Sequence, residues 1–211
     1  MYKKAVILCD GMPPEAGEIR SELIPDALLI AADGGANRAR EFGLSPDFII
    51  GDFDSFEPGI DETARVIRDP DQETNDLEKA LQLAIRQGCS EAVVFGATGK
   101  RTDHTLKNLS QLIRFENEFD SLRYRDSFCE IFLIRSPYRA DFPISTSLSL
   151  FPLSGTVTGI RTRGLRYPLH GERLKNGVRD GTSNETTSSR VEIEYESGDL
   201  LLIVNNKTGC L

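Results

Sequence analysis

Glu91-Ala-Val-Val-Phe95 runs into Gly96-Ala-Thr-Gly-Lys-Arg-Thr-Asp-His104, and Leu106, Leu109, Leu112 and Ile113 follow at helical spacing. An apolar run, a glycine-bearing turn and an amphipathic segment read as strand, loop and helix. A strand that is apolar on both faces needs cover on both faces, which parallel sheets receive from crossover helices. Ala5-Val-Ile-Leu-Cys9, Ala27-Leu-Leu-Ile-Ala-Ala32 and Asp47-Phe-Ile-Ile50 repeat the strand pattern. After Asn75, residues Leu77, Ala80, Leu81, Ala84 and Ile85 share one helical stripe, and Gly88 is placed to stop it. This alternation predicts βαβ units: an open, mostly parallel Rossmann-like sheet with flanking helices over residues 1–120.

The pattern changes after Asp120. Cys129–Ile134, Leu148–Phe151, Thr156–Ile160, Val191–Tyr195 and Leu200–Val204 are short strand candidates, several alternating with period two and punctuated by Pro and Gly. Close-set strands without an amphipathic helix predict a β-sandwich over 121–211. The Ser/Thr/Asn-rich run 182–190 reads, from composition alone, as a mobile loop.

Composition narrows the function. The 211 residues are 39% hydrophobic and 27% charged, with a formal net charge of −8 and no dense Lys/Arg run. That excludes partners bound by phosphate neutralisation along a nucleic acid, but not a single polyphosphate held by a few donors and a metal. No apolar run reaches the ~20 residues that cross a bilayer. Cysteines 9, 89, 129 and 210 are scattered, forming neither a Cys-x-x-Cys site nor a disulfide framework, so reduced thiols and a cytoplasmic location are expected. The Asn206-Lys-Thr208 sequon is a chance match under that expectation.

Three acidic clusters occur at ends of apolar runs: Gly51-Asp-Phe-Asp-Ser55, Asp71-Gln-Glu-Thr-Asn-Asp76 and Arg101-Thr-Asp-His104. If they converge, two carboxylates ~5 Å apart at an effective dielectric of ~20 repel by roughly 3 kcal/mol. A hard divalent ion with oxygen ligands relieves this, and Mg²⁺ commonly arrives with substrate phosphates. The chain therefore reads as a Mg²⁺–nucleotide enzyme. Each cluster also has a purely structural reading. Asp52 and Asp54 fit a polar turn. Asn75 with Glu78 resembles a capping box, and Asp76 suits the positive end of a helix. Lys79 can reach a phosphate or pair with Asp76. The Gly96–His104 segment sits where helix-start N–H groups favour anions, although it lacks the P-loop spacing. Arg101 is suited to bidentate phosphate contact. Asp103 can cap its helix, bind metal through water or accept a proton, while His104 reads as a polar residue of the first turn. Asp33-Gly34-Gly35-Ala-Asn37 allows close backbone approach to a ligand, or simply a tight turn.

Taken in order, these segments resemble the thiamine pyrophosphokinase family. Asp33–Asn37, Gly51–Ser55, Asp71-Gln72…Asp76-Leu-Glu-Lys79 and Gly99–His104 are similar to its catalytic domain. Ser149–Gly155, Gly164-Leu-Arg-Tyr-Pro-Leu169 and Gly181-Thr-Ser-Asn-Glu185 are similar to its thiamine-binding domain. The resemblance implies transfer of pyrophosphate from ATP to the thiamine hydroxyl, with AMP released. It implies Mg²⁺ on Asp52, Asp54 and Asp76 with Asp71 and Gln72 nearby. Asp33, Gly34, Asn37 and Lys79 would line the nucleotide site. Arg101 would hold the polyphosphate and Asp103 would complete the reaction centre. Ser183 and Asn184 would contact thiamine, with Tyr167 as the candidate stacking ring, and the run 182–190 becomes a binding segment. A homodimer with the thiamine pocket at the subunit boundary is implied as well. The chain departs from the family in having Asn75 where Thr is common, Gly181 where Ser is common, and Tyr167 where some relatives carry Trp.

Two other readings stand beside this one. A phosphatase of the Asp-x-Asp type places its nucleophile after the first strand, whereas Asp52 and Asp54 follow the third. A non-catalytic thiamine or nucleotide sensor would not need so many carboxylates beside polyphosphate.

Overall fold

The protein is described from a computed structural model covering residues 2–54, 56 and 63–206. Ser55, Cys210 and most of the sequon lie outside these residues. The chain divides into two compact units, Met1–Ser127 and Phe128–Leu211. Residues 121–127, expected to open the second domain, go with the first unit because Ser121–Arg125 forms a strand that pairs in parallel with Glu91–Phe95.

In the first unit the strands are β1 (Lys4–Leu8), β2 (Ala27–Ala32), β3 (Phe48–Gly51), β4 (Arg65–Arg68), β5 (Glu91–Phe95) and β6 (Ser121–Arg125). The helices are α1 (Ala16–Glu22), α2 (Gly35–Glu41), α3 (Asp76–Arg86) and α4 (Thr102–Arg114). The strand order is β6-β5-β1-β2-β3-β4, parallel throughout. β1, β2, β3 and β5 are almost wholly buried, as continuous apolar runs covered on both faces must be. β4, an edge strand with sequence Arg-Val-Ile-Arg, is largely exposed, its arginines guarding the open edge. From β1 the chain winds one way through β2, β3 and β4, then resumes on the other side with β5. The reversal lies between β1 and β5, and in open α/β sheets the crevice beyond the strand ends at such a point is where ligands collect.

Helix α4 departs from expectation. Leu106 is 64% exposed, and the buried face carries Asn108 and Gln111 beside Leu112. Buried amides persist only when hydrogen-bonded. Asn108 Nδ2 donates to Ala97 O at 2.7 Å, and Gln111 Nε2 donates to Glu78 Oε2 at 3.1 Å.

The second unit is a sandwich of two four-stranded antiparallel layers. Its strands are β7 (Cys129–Ile134), β8 (Tyr138–Asp141), β9 (Ser147–Pro152), β10 (Thr156–Arg163), β11 (His170–Lys175), β12 (Gly181–Glu185), β13 (Arg190–Glu194) and β14 (Leu200–Asn205). One layer runs β12-β9-β14-β7 and the other β11-β10-β13-β8. Phe132, Leu148, Leu150, Ile160, Leu174, Ile193 and Leu202 fill the space between them. The Ser/Thr/Asn-rich run is not simply a loop, since its start lies in β12 and its end in β13. No helix among the described residues is long and apolar enough to cross a membrane.

Candidate active site

The loops that follow β1, β2 and β5, together with the start of α3, enclose a cavity of about 230 Å³. Its walls include Cys9, Asp10, Asp33, Gly34, Asp76, Lys100, Arg101, His104 and Asn108. It lies at the β1/β5 reversal, where the topology directs a ligand. Glycines make the convergence possible. A Cβ on Gly51 would stand 2.8 Å from Asp33 Cβ and 3.2 Å from Asp76 Oδ1, so a side chain there would push those carboxylates apart. Asp33, Phe53 and Lys100 adopt positive φ of 40°, 67° and 52°, a left-handed conformation that costs a residue with a Cβ roughly 1–2 kcal/mol.

Asp33, Asp52 and Asp76 form one cluster whose carboxylate oxygens lie within 4.8 Å of one another. Asp33 is buried and the other two are partly buried. Burial, then the Asp33 charge, pushes the Asp76 carboxyl from the usual 3.8 up to about 6, against a smaller opposing pull from Lys79. Asp52 is shifted the other way, chiefly because Gln72 Nε2 donates to its Oδ2 at 3.1 Å. Three clustered carboxylates, one held neutral to unusually high pH, are a donor set suited to a hard divalent cation.

Asp54 and Asp71, expected among the metal ligands, are outside this cluster, and Asp33, expected at the nucleotide, is within it. The backbone N–H of Asp54 turns back onto Asp52 Oδ1 at 3.2 Å, and Asp54 itself is exposed. Asp71 is spent on its own loop, accepting from Glu73 N at 3.1 Å and Thr74 Oγ1 at 2.7 Å. Lys79, expected at the nucleotide, is not among the residues that line the cavity. It is 2% exposed, donates to Asp69 O at 2.8 Å and lies 3.8 Å from Asp76 Oδ1, anchoring the loop that leads into α3. Asn75 is the N-cap of α3, its Oδ1 accepting from Glu78 N at 3.0 Å. Gly34 lines the cavity, whereas Asn37, on α2, does not.

Arg101 and Asp103 face each other in the open, joined through two nitrogens of the guanidinium. This pairing holds the Asp103 carboxyl down to about 2. His104 lines the cavity, and its backbone N–H donates to Asp103 Oδ1 at 3.0 Å. Sequence reasoning overlooked Asp10, which follows β1. Its Oδ1 receives Lys100 Nζ at 2.7 Å and lies 3.5 Å from Arg38 Nε. The available signal was its position after a buried parallel strand, the same signal that exposed Asp52. Cys9 beside it is buried, and its thiol is pushed up by burial and then by Asp76 and Asp10.

In the second unit, Ser183 and Asn184 lie on β12 and Tyr167 on the turn between β10 and β11. The β12–β9 register slips between Gly181↔Leu150 and Asn184↔Leu148, and Ser183 takes φ 59° in that irregularity. A bulge of this kind re-aims a side chain, and Ser183 is exposed. Asn184 is buried, its Oδ1 accepting from Tyr167 N at 3.0 Å and its Nδ2 donating to Tyr167 O at 2.8 Å. With its amide committed to this backbone, Asn184 holds the Tyr167 segment in place, and Tyr167 is left 63% exposed.

Comparison with known proteins agrees with both halves of the chain. Residues 20–123 match the family model described as "Thiamin pyrophosphokinase, catalytic domain", and residues 138–200 match "Thiamin pyrophosphokinase, vitamin B1 binding domain". Thiamin pyrophosphokinase 1 of Caenorhabditis elegans is 31% identical over 182 residues, spanning 80% of this chain and 75% of that protein. The thiamine pyrophosphokinase of Bacillus subtilis is 27% identical over 198 residues, spanning 86% and 92%. The crystal structure of the Bacillus subtilis protein superposes with a TM-score of 0.84 at 23% identity, covering 97% of this chain and 100% of that one. The thiamin pyrophosphokinase from Candida albicans gives 0.86 at 18% identity, covering 97% and 89%. At such identities the superpositions speak for the fold, and the sequence matches speak for descent. On the two family models and the Caenorhabditis relative together, the chain belongs to the thiamine pyrophosphokinase family.

Proposed function

We propose that this chain transfers the pyrophosphoryl group of ATP to the hydroxyl of thiamine, giving thiamine diphosphate and AMP. The observation that carries the reading is the meeting of Asp33, Asp52 and Asp76 at the strand ends of a nucleotide-type sheet, beside a cavity lined by Arg101. Asp33, Asp52 and Asp76 would hold Mg²⁺, which when bound offsets the negative charge of the polyphosphate. Asp54 stays in the proposal through its place on the turn that Asp52 begins, and Asp71 through the loop that carries Gln72.

Transfer of this kind depends mainly on positioning and on neutralising charge. The thiamine hydroxyl attacks the β-phosphorus. The bond from that phosphorus to the α–β bridging oxygen breaks, and AMP leaves with the electron pair. Arg101 holds the polyphosphate by turning from Asp103 to phosphate oxygens. That turn frees Asp103 from the donor that keeps its carboxyl near 2, so its basicity rises as substrate arrives and it takes the hydroxyl proton. The exposed Ser183 hydroxyl and Tyr167 ring meet thiamine, with Asn184 fixing the Tyr167 segment. A homodimer, with this thiamine surface at the boundary between copies, and a cytoplasmic location complete the proposal.

Incubating the protein with ATP, Mg²⁺ and thiamine is expected to produce AMP and thiamine diphosphate in equal amounts. Release of ADP, or a trapped phosphoaspartate, would refute pyrophosphoryl transfer.

A further inference from the structure

We propose that Asn108 is a positioning residue for the transfer, setting the acidic cluster against the loop that carries Arg101. The proposal rests on reading the cavity as the phosphate-transfer centre. Asn108 is 8% exposed on the inner face of α4, where an aliphatic side chain would be the expected packing choice. Its amide bridges two parts of the cavity wall. Oδ1 accepts from Asn75 Nδ2 at 2.7 Å, and Asn75 is the cap immediately before Asp76. Nδ2 donates to Ala97 O at 2.7 Å, in the segment that runs on to Lys100 and Arg101. The backbone of Asn108 is itself fixed, its carbonyl accepting from the buried Tyr124 hydroxyl at 3.1 Å.

One amide thus joins the start of α3, which presents Asp76, to the loop after β5, which presents Arg101. A second contact between the same helices lies deeper. Buried Glu78 accepts from Gln111 Nε2 at 3.1 Å on Oε2, and its Oε1 lies in an ion pair 2.7 Å from Arg114 Nη1. That pairing holds the two helices together independently of Asn108, so the Asn75–Asn108–Ala97 bridge at the cavity wall is free to set geometry. The chemistry is sensitive to such a setting, because a displacement of about 1 Å can cost about a hundredfold in rate.

Asn108→Ala removes both side-chain bonds. Asn75→Ser keeps a capping oxygen for α3 but is too short to reach Asn108. Each variant is expected to lower kcat by about tenfold or more while the thiamine KM moves less than about threefold, since the thiamine-contacting groups are in the other unit. The double variant should lose little beyond the larger single loss, as expected when two groups act through one bond. Mg²⁺ titrated into the nucleotide-free protein should bind more weakly in both variants. Unchanged kcat and Mg²⁺ affinity would overturn the proposal, as would additive losses or a rise in thiamine KM matching the fall in kcat. If Asn108→Ala does not fold, the same kcat, KM and Mg²⁺ measurements on Asn75→Ser support or overturn the bridge. If the unaltered protein makes no thiamine diphosphate, the transfer reading fails. The Mg²⁺ titration then decides the bridge alone, weaker binding supporting it and equal binding ending it.

Discussion

Asp76 governs how the cluster responds to pH. Its carboxyl is raised from 3.8 to about 6, so between those values the folded protein keeps a proton that the unfolded chain has released. The stability this provides is complete below about pH 4 and is lost as pH rises through about 6. With EDTA present, Tm should therefore fall as pH rises across that window, and Asp76→Asn should flatten the fall. Mg²⁺ at pH 7 should restore the lost stability, since a cation favours the ionised form. Scanning fluorimetry at stepped pH measures all three, and a wild-type Tm insensitive to pH would remove the cluster's electrostatic cost. Asp103 offers no matching handle. It is lowered rather than raised, and in the open its pairing with Arg101 is screened by solvent.

Among the elements, the β12 bulge separates backbone from side-chain contributions. Ser183 sits at φ 59°, which glycine adopts without steric cost. Ser183→Gly should thus hold or slightly raise Tm, whereas Ser183→Ala keeps the strained backbone. Both delete the hydroxyl, and both should raise the thiamine KM by about tenfold, the worth of one hydrogen bond of about 1–1.5 kcal/mol, with little change for ATP. Equal KM values in wild type and both variants would detach Ser183 from thiamine. Elements were legible where burial is apolar. The Leu77–Ile85 stripe and its stop near Gly88 match α3, because aliphatic side chains there have no alternative to the core. The inner face of α4 was illegible for the opposite reason. Its buried Asn108 and Gln111 bond to residues distant in sequence, and hydrophobic periodicity carries no trace of such partners. The cluster was half legible for a similar reason. Asp52 and Asp76 follow recognisable local signals, but the place of Asp33 depends on Gly51 of the neighbouring strand letting it come near.

For the molecule as a whole, ligand linkage gives the broadest test. MgATP at about a hundred times its Kd should stabilise the fold by about 2.7 kcal/mol, because only the folded state gathers the three carboxylates. A rise in Tm with MgATP that disappears in Asp52→Asn would tie this gain to the cluster, and an equal rise in both would break the tie. The two-part architecture was readable from the change of pattern near Asp120. Several strands were not. β6, β8, β11 and β12 are rich in polar residues because each leaves a face or an edge in water, so no apolar run announces them. The order of strands in the second unit carries a different consequence. β14, later in the chain than its other strands, lies between β7 and β9 in the middle of its layer. A nascent chain leaving the ribosome can finish the parallel sheet once Ser127 has emerged, as domains commonly fold in turn during synthesis. The sandwich must wait with its central slot open until residue 205 has been translated, so β7 and β9 stay exposed to chaperones and to mispairing until β14 emerges.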